Sequence, residues 1–512
     1  MSSLVKSTII VTILNGVGLC LGFLSNLVIA AKFGAGREMD IYLAATALPL
    51  FVTSILSGSL SMTFIPVFAE YRNKDISETW KIVSTFINIS VITTSILTFI
   101  GIFFANSIMK LLAPGFTGEK IAVSANLLCW LMPTIILAVI NELMSSVYYS
   151  NNSFVIPLFN KIINPLITMI YVLIFSFSLS TKSLVFASLT AMFIQTLLLG
   201  IGFVRNKEFF YSFILKYKHP AVLKIIKLML PLIVGMIIYR AIPLFDRFIA
   251  SSLPDGSISY LGYSSKIYFL LTGIITSGIS LSLFPLMSKL AAENNIVLLK
   301  QNMSKGIRFL FFLSIPITCI FGIYSKEIVQ LLFERGAFHN QDTTFTSIAL
   351  SIYLMALPVA SIGTIVAQGY YVLQDTRTPA IIGVLEVFIY IGLAFLLLPL
   401  FGFLSIPLTF VCYFYISMIN GLIVRKKLGG TGGQKILHSF LQHTLIAVIA
   451  TIIIFYPICL FSNLIIKNIF IALGFILYLI LSKYILKSKE SLLIWEKLVV
   501  NGLRKIIASK NT

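Results

Sequence analysis

Apolar residues run along this chain in long blocks of roughly 20 to 30, broken by short polar turns. They show neither the alternation of a half-buried strand nor the one-sided stripe of a soluble helix. Blocks of about 20 apolar residues match the thickness of a bilayer core. Fourteen spans are predicted, at 7–31, 41–69, 82–108, 122–149, 154–177, 183–204, 224–252, 257–287, 305–325, 343–373, 379–400, 404–424, 438–461 and 465–486. The clearest punctuation lies in 331–379. There a charged hinge (Glu334, Arg335, Gly336) precedes a span ending at Tyr370–Tyr371, and the turn Gln374, Asp375, Thr376, Arg377, Thr378, Pro379 follows. Proline cannot donate a backbone hydrogen bond, so the helix is expected to stop before it.

A weaker copy of this pattern lies in the first half. Tyr148–Tyr149 and Pro157 precede Tyr370–Tyr371 and Pro379 by 222 residues, and Pro66 precedes Pro285 by 219. Leu111–Leu112 and Phe116 stand to Leu331–Leu332 and Phe338 at offsets of 220 and 222. Such ordered matches predict a duplication. Six helices per copy is an even number, so both copies enter the membrane the same way, as in transporters built on parallel repeats. The expected fold is an all-α polytopic membrane protein with two parallel six-helix lobes around a central cavity, plus two C-terminal helices. The expected divisions are an N-lobe at 1–204, a cytoplasmic basic linker at 205–223, a C-lobe at 224–428, the added pair at 429–488 and an amphipathic cytoplasmic tail at 489–512. The glycines at 429, 430, 432 and 433 suggest that the added pair is joined flexibly.

Composition agrees: 58% of the 512 residues are hydrophobic and only 11% charged, against about 25% charged in soluble domains. The net charge of +20 raises the question of nucleic acid, but its distribution answers it. The span limits are approximate, and with basic residues at span ends counted to the adjoining loop, 26 lysines and arginines fall on one side, eight on the other and four deep within spans. That asymmetry is the positive-inside rule. It places both termini in the cytoplasm and leaves no basic patch for nucleic acid. The first block, preceded by Lys6, reads as an uncleaved helix rather than a signal peptide. The five cysteines are single and the four histidines lack ligand spacing, so no metal site is expected. The sequence Gly429 to Lys435 lacks the glycine before lysine that a phosphate loop needs, and no other energy-coupling motif is present.

Charges within spans mark a cavity, because a bare charge in lipid costs several kcal/mol. The cations are Lys161, Arg240, Arg247 and Lys266, and the carboxylates Glu142, Asp246 and Glu386. Arg240 and Arg247 are seven apart, hence on one stripe of a continuous helix, suited to a diphosphate. Arg247 has an alternative in pairing with Asp246 or reaching the outer surface. Glu142 and Glu386 are candidates for ion coupling together with Asp246, with helix-to-helix pairing as the alternative. Asp40 is expected to close an outer gate against Arg37 or to cap its own helix.

Several motifs resemble the MurJ/MviN family of lipid II flippases, within the multidrug, oligosaccharidyl-lipid and polysaccharide exporters. They are Phe33-Gly34-Ala35-Gly36 with Asp40, Ala113-Pro114-Gly115-Phe116, and Leu253-Pro254-Asp255-Gly256-Ser257. Leu332-Phe333-Glu334-Arg335-Gly336-Ala337-Phe338 and 374–379 complete the set, which spans roughly the first 430 residues. The resemblance implies fourteen helices around a cavity, with the last two forming a groove for a lipid tail. It implies transport of an undecaprenyl-diphosphate-linked glycan, lipid II first, from the inner to the outer leaflet of the bacterial cytoplasmic membrane by alternating access. The protein would be a monomeric transporter and not an enzyme. It would use no cofactor, and would be driven by a Na⁺ or H⁺ gradient or by the membrane potential. The sequence departs from the family where functional arginines align in helices 1 and 2: Leu19, Ser25 and Thr53 stand there, and Lys266 replaces an arginine in helix 8. The departure keeps a flippase of O-antigen, capsule or other polysaccharide repeat units as the alternative. A drug/cation antiporter and a membrane glycosyltransferase rank behind it.

Overall fold

The computed structural model describes residues 3–485 except 73, 152, 206–209 and 376. The expected tail helix at 489–512 lies outside them. Among the described residues the chain is all helix and turn, without a strand. Twelve stretches are long and apolar enough to cross a membrane, or thirteen with the bent pair Asn340–Met355 and Leu357–Val372 taken as one span. The expected spans at 379–400 and 404–424 fall in one continuous stretch, Arg377–Lys427. It comprises two helices packed on each other, Arg377–Phe401 and Ser405–Lys427, joined by a 3₁₀ turn.

Helix boundaries carry the duplication. Arg37–Arg72 and Ser257–Ala292 are each 36 residues long, 220 residues apart. Ile76–Phe103 and Ile296–Ile323 are each 28 residues, again 220 apart, and Val155–Leu179 and Arg377–Phe401 are each 25 residues, 222 apart. Short helices follow at matching places, Ala105–Leu112 and Ser325–Phe333. A side-chain contact repeats as well. Tyr148 donates its hydroxyl hydrogen to the carbonyl of Leu199 (2.9 Å), and Tyr370 donates to that of Asn420 (3.2 Å). The tyrosine pairs are therefore bolts between two helices of each copy.

By contact the chain divides into two compact units, 1–262 with 335–339, and 263–334 with 340–512. Helix Pro220–Arg240 packs on helix 37–72 within the first unit. Contact density thus draws its line later than the basic linker at 205–223, where the duplication begins its second copy.

The first unit is knit at one end by Phe64, Phe68, Trp80, Phe86 and Phe203, with Val222 and Ile225 from helix 220–240. Trp80 meets Phe203 and Phe68 edge-on, at 6.0 Å each, and such pairs add about 0.5–1.5 kcal/mol beyond burial. Elsewhere Ala44, Ala45, Ala47 and Ser59 of helix 37–72 are buried, small residues that let helices approach where lipid offers no hydrophobic drive.

In the second unit the C-terminal helices Gly433–Leu460 and Leu464–Tyr484 are docked, which corrects the expectation of a flexible addition. Both pack on helix 296–323. Tyr324 donates to the carbonyl of Thr451 (3.0 Å), and Tyr478 reaches both His443 Nδ1 and the carbonyl of Phe312, each at 3.0 Å. The glycine-rich turn serves geometry instead: Gly429, Gly430 and Gly432 all have positive φ, which glycine adopts without strain.

The helix before Pro379 stops short of it, as expected. Helix 357–372 ends at Leu373, and Pro379 sits in the first turn of helix 377–401, where its missing N–H costs nothing. Asp375 accepts the N–H of Thr378 (3.0 Å) and pairs with Lys427. The 374–379 motif is thus a cap that ties three helices.

Candidate functional site

Four helices of the first unit bring polar groups to one place. Lys161, on helix 155–179, donates to the Asn15 side chain on helix Ser3–Phe33 (3.3 Å). Glu142, on helix Thr134–Ser150, accepts the hydroxyl of Ser61 on helix 37–72 and feels the charge of Lys161. Lys161 remains exposed and Glu142 half-buried. An ammonium and a carboxylate within electrostatic reach of each other thus lie among apolar helices. Asn15 and Ser61 were missed in the sequence because an amide and a hydroxyl in apolar blocks carry no charge to flag them.

Arg240 and Arg247 lie on either side of a one-residue turn within a single 31-residue span, Pro220–Ala250. Helix 220–240 ends at Arg240, and Ile242–Ala250 begins beyond Ala241. Pro243 cannot donate at that turn, while Ala241 keeps α-helical backbone angles. Arg240 is exposed at the helix C-terminus, where a cation complements the helix dipole. Arg247 donates to the carbonyl of Pro243 (3.3 Å) and lies beside Asp246, while its Nε is buried without a hydrogen-bond partner. Its geometry agrees with the pairing alternative more than with a free diphosphate contact.

In the second unit, Lys266 places its Nζ 5.3 Å from the ring centroid of buried Tyr263, a cation–π contact. Glu386 is buried and accepts from the Asn420 side chain at 2.8 Å. That bond joins helix 377–401 to 405–427.

The Asp40–Arg37 gate pair is not formed. Arg37 instead bonds Glu119 at 2.8 Å. Asp40, only 4% exposed, accepts from Gly256 N (2.6 Å) and from both the N–H (2.7 Å) and hydroxyl of Ser259. It therefore caps helix 257–292 from outside, satisfying amides that a helix N-terminus leaves open. The neighbouring motifs assemble around this cap. Gly115 N donates to Ser251 Oγ (3.2 Å), and Lys120 pairs with Asp255. Segment 335–339 also belongs to this unit: Ala337 N donates to the Ala31 carbonyl at 2.8 Å. Gly34 and Gly336 both have positive φ there, and a Cβ on either would lie 2.3 Å and 2.1 Å from a carbonyl oxygen, of Ala337 and Ala31 respectively. Among the described residues no cluster of His, Cys, Asp and Glu is arranged to hold a metal.

Comparison with known proteins follows the same motifs. The family model described as lipid II flippase MurJ matches residues 29–477. A probable lipid II flippase MurJ of Buchnera aphidicola subsp. Baizongia pistaciae is 28% identical over 383 residues, 74% of each chain. That of Rickettsia prowazekii is 29% identical over 403 residues, 77% of this chain and 78% of its own. Among solved structures, lipid II flippase MurJ in an inward closed conformation superposes with TM-score 0.81 at 23% identity, covering 94% of this chain and 99% of that one. A multidrug resistance MATE transporter of the MOP superfamily, inward-facing, gives 0.68 at 13%, covering 80% and 94%. With the match spanning most of the chain and reaching all the motifs above, the protein belongs to the lipid II flippase MurJ family.

Proposed function

We propose that this protein moves lipid II, the lipid-linked precursor of peptidoglycan, from the inner to the outer leaflet of the bacterial inner membrane. The family match over residues 29–477 carries this reading. The Asn15–Ser61–Glu142–Lys161 cluster supports it, since a flippase must offer polar partners to a diphosphate and sugars inside a lipid-facing bundle. Lys266 and Arg240 are the further cations for the cargo. The prenyl chain stays in lipid, against the exposed aliphatics of helices 433–460 and 464–484, such as Leu445, Ile452 and Ile469. Asp40 with Gly256 and Ser259 forms the outer gate, which opens when helix 257–292 leaves its cap. Lysine and arginine asymmetry supports cytoplasmic termini, and the protein acts as a transporter driven by an ion gradient or the membrane potential.

Expression in a bacterium depleted of its own lipid II flippase tests the cargo: growth is expected to be restored, and lysis would refute it. One observation favours a different lipid-linked glycan. Leu19 is exposed and Ser25 buried where the resemblance led us to expect arginines. Failure to rescue, with restored polysaccharide export in a strain lacking that flippase, would select this second reading.

A further inference from the structure

Residues 210–219 are not a free linker. They form a strap docked lengthwise on helix 76–103. Ser212 N donates to Ser84 Oγ (3.2 Å) and Lys216 N to Thr85 Oγ1 (3.4 Å). Asn88 donates to the carbonyls of Ser212 and Ile214 (3.5 and 3.1 Å) and accepts from the Tyr211 hydroxyl (2.7 Å). His219 pins the end: its Nδ1 accepts from Ala221 N (3.2 Å), which leaves Nε2 to donate to Glu78 at 2.8 Å. Backbone polar groups are costly at membrane depth unless the protein satisfies them. The buried Ser84, Thr85 and Asn88, otherwise odd in an apolar helix, do so here.

The strap's other side faces outward. Tyr211, Phe213, Leu215 and Tyr217 alternate with the docked positions and are exposed, Phe213 by 79% and Tyr217 by 60%. From Glu78 to Asn88 the strap covers ten residues of helix, about 15 Å of depth. Its lysine end (Lys216, Lys218) lies by Glu78 and Lys81, toward the helix N-terminus. Its aromatic end lies by Asn88, inside the apolar span. A crevice of about 10 Å³, room for about one water, lies at the lysine end, lined by Glu78, Lys81, Ile82, Thr85, Lys216 and His219. Glu78 is engaged by His219.

We infer that the outer surface of this strap binds an anionic phospholipid of the inner leaflet, its phosphate held by Lys81, Lys216 and Lys218 and its acyl chains against Phe213 and Leu215. Basic groups at headgroup level with aromatics just below them match the charge and polarity gradient of that leaflet. The lipid side is the one proposed above, but the test does not depend on it. Nor does it depend on the cargo, which is not a phospholipid.

The full-length protein in nanodiscs of phosphatidylcholine with phosphatidylglycerol is analysed for phosphatidylglycerol retained after gentle removal of bulk lipid. Lys81→Gln/Lys216→Gln is expected to weaken retention about fivefold per lysine. Lys289→Gln/Lys305→Gln, removing equal charge elsewhere, leaves it unchanged. Phe213→Ser/Leu215→Ser is expected to weaken it with all charges kept. Equal loss in both lysine pairs, or no loss in the first, overturns the site. Full retention in the aromatic variant, or displacement by millimolar inorganic phosphate, overturns the lipid as ligand.

Discussion

Asp40 and Ser259, 219 positions apart in the chain, are joined by two hydrogen bonds from the serine onto one carboxylate oxygen, while Gly256 N bonds the other. A carboxylate with three donors satisfies amides that this helix N-terminus leaves open, and the gate proposed above requires those amides to exchange it for water.

Removing the charge tests the latch. Hydrogen bonds to a charged group contribute about 1.5–3 kcal/mol each, so Asp40→Asn is expected to destabilise by about that amount, and Ser259→Ala by less. The two effects should couple in a double-mutant cycle on thermal unfolding in detergent. On the gate reading, Asp40→Asn should also speed modification of a cysteine at buried Ser257 by an impermeant maleimide. Additive stabilities and unchanged labelling would leave Asp40 as an ordinary cap.

The glycine clasp beside it makes a sharper steric prediction. Gly34→Ala and Gly336→Ala each combine positive φ with a carbonyl at 2.3 Å or less from the new methyl. Each should cost more than the ~1 kcal/mol typical of a point mutation and lower the melting temperature. Gly402→Ala, whose Cβ meets open space at a similar φ, should cost less. Equal melting temperatures for the three would contradict the clasp.

Lys161 and Glu142 should matter more for transport than for folding, because Lys161 is exposed. Lys161→Ala is expected to slow flipping at least tenfold, on the order of 1.4 kcal/mol of transition-state stabilisation, with little change in melting. Lys161→Arg should recover part of the rate. A variant that melts early without recovery by arginine would assign Lys161 a structural role.

The cap at 374–379 predicts a pH effect. Bonds from Lys427, then from Thr378, pull the Asp375 carboxyl from its ordinary 3.8 down to about 2. A depressed folded-state value means that its contribution is full above about pH 4 and fades as pH falls toward 2. The stability difference between wild type and Asp375→Asn should therefore be flat from pH 7 to pH 5 and close only under strong acid. It should also be small, as the group is solvent-screened. A difference that grew on acidification would reverse the sign of this account.

Much of the fold is legible in the sequence because a membrane helix must be long, apolar and internally bonded. The spacing of Tyr148 from Tyr370 already held the duplication that the paired helix lengths display. Functional contacts were less legible. Charge flagged Lys161 and Glu142, but their partners Asn15 and Ser61 sit 146 and 81 positions away. Asp40 was noticed, yet Arg37 looked like its partner only because it was close in sequence; the amides of a distant helix end leave no mark in composition.

The central claim meets its most direct test in vesicles. Purified protein is reconstituted with fluorescent lipid II, and the fraction reached by an impermeant quencher is followed, for wild type and for Lys161→Ala. The account predicts that wild type exposes the inner-leaflet pool while a prenyl-linked polysaccharide repeat unit stays protected, and that Lys161→Ala exposes lipid II at least tenfold more slowly. Exposure of lipid II no faster than in protein-free vesicles would contradict it.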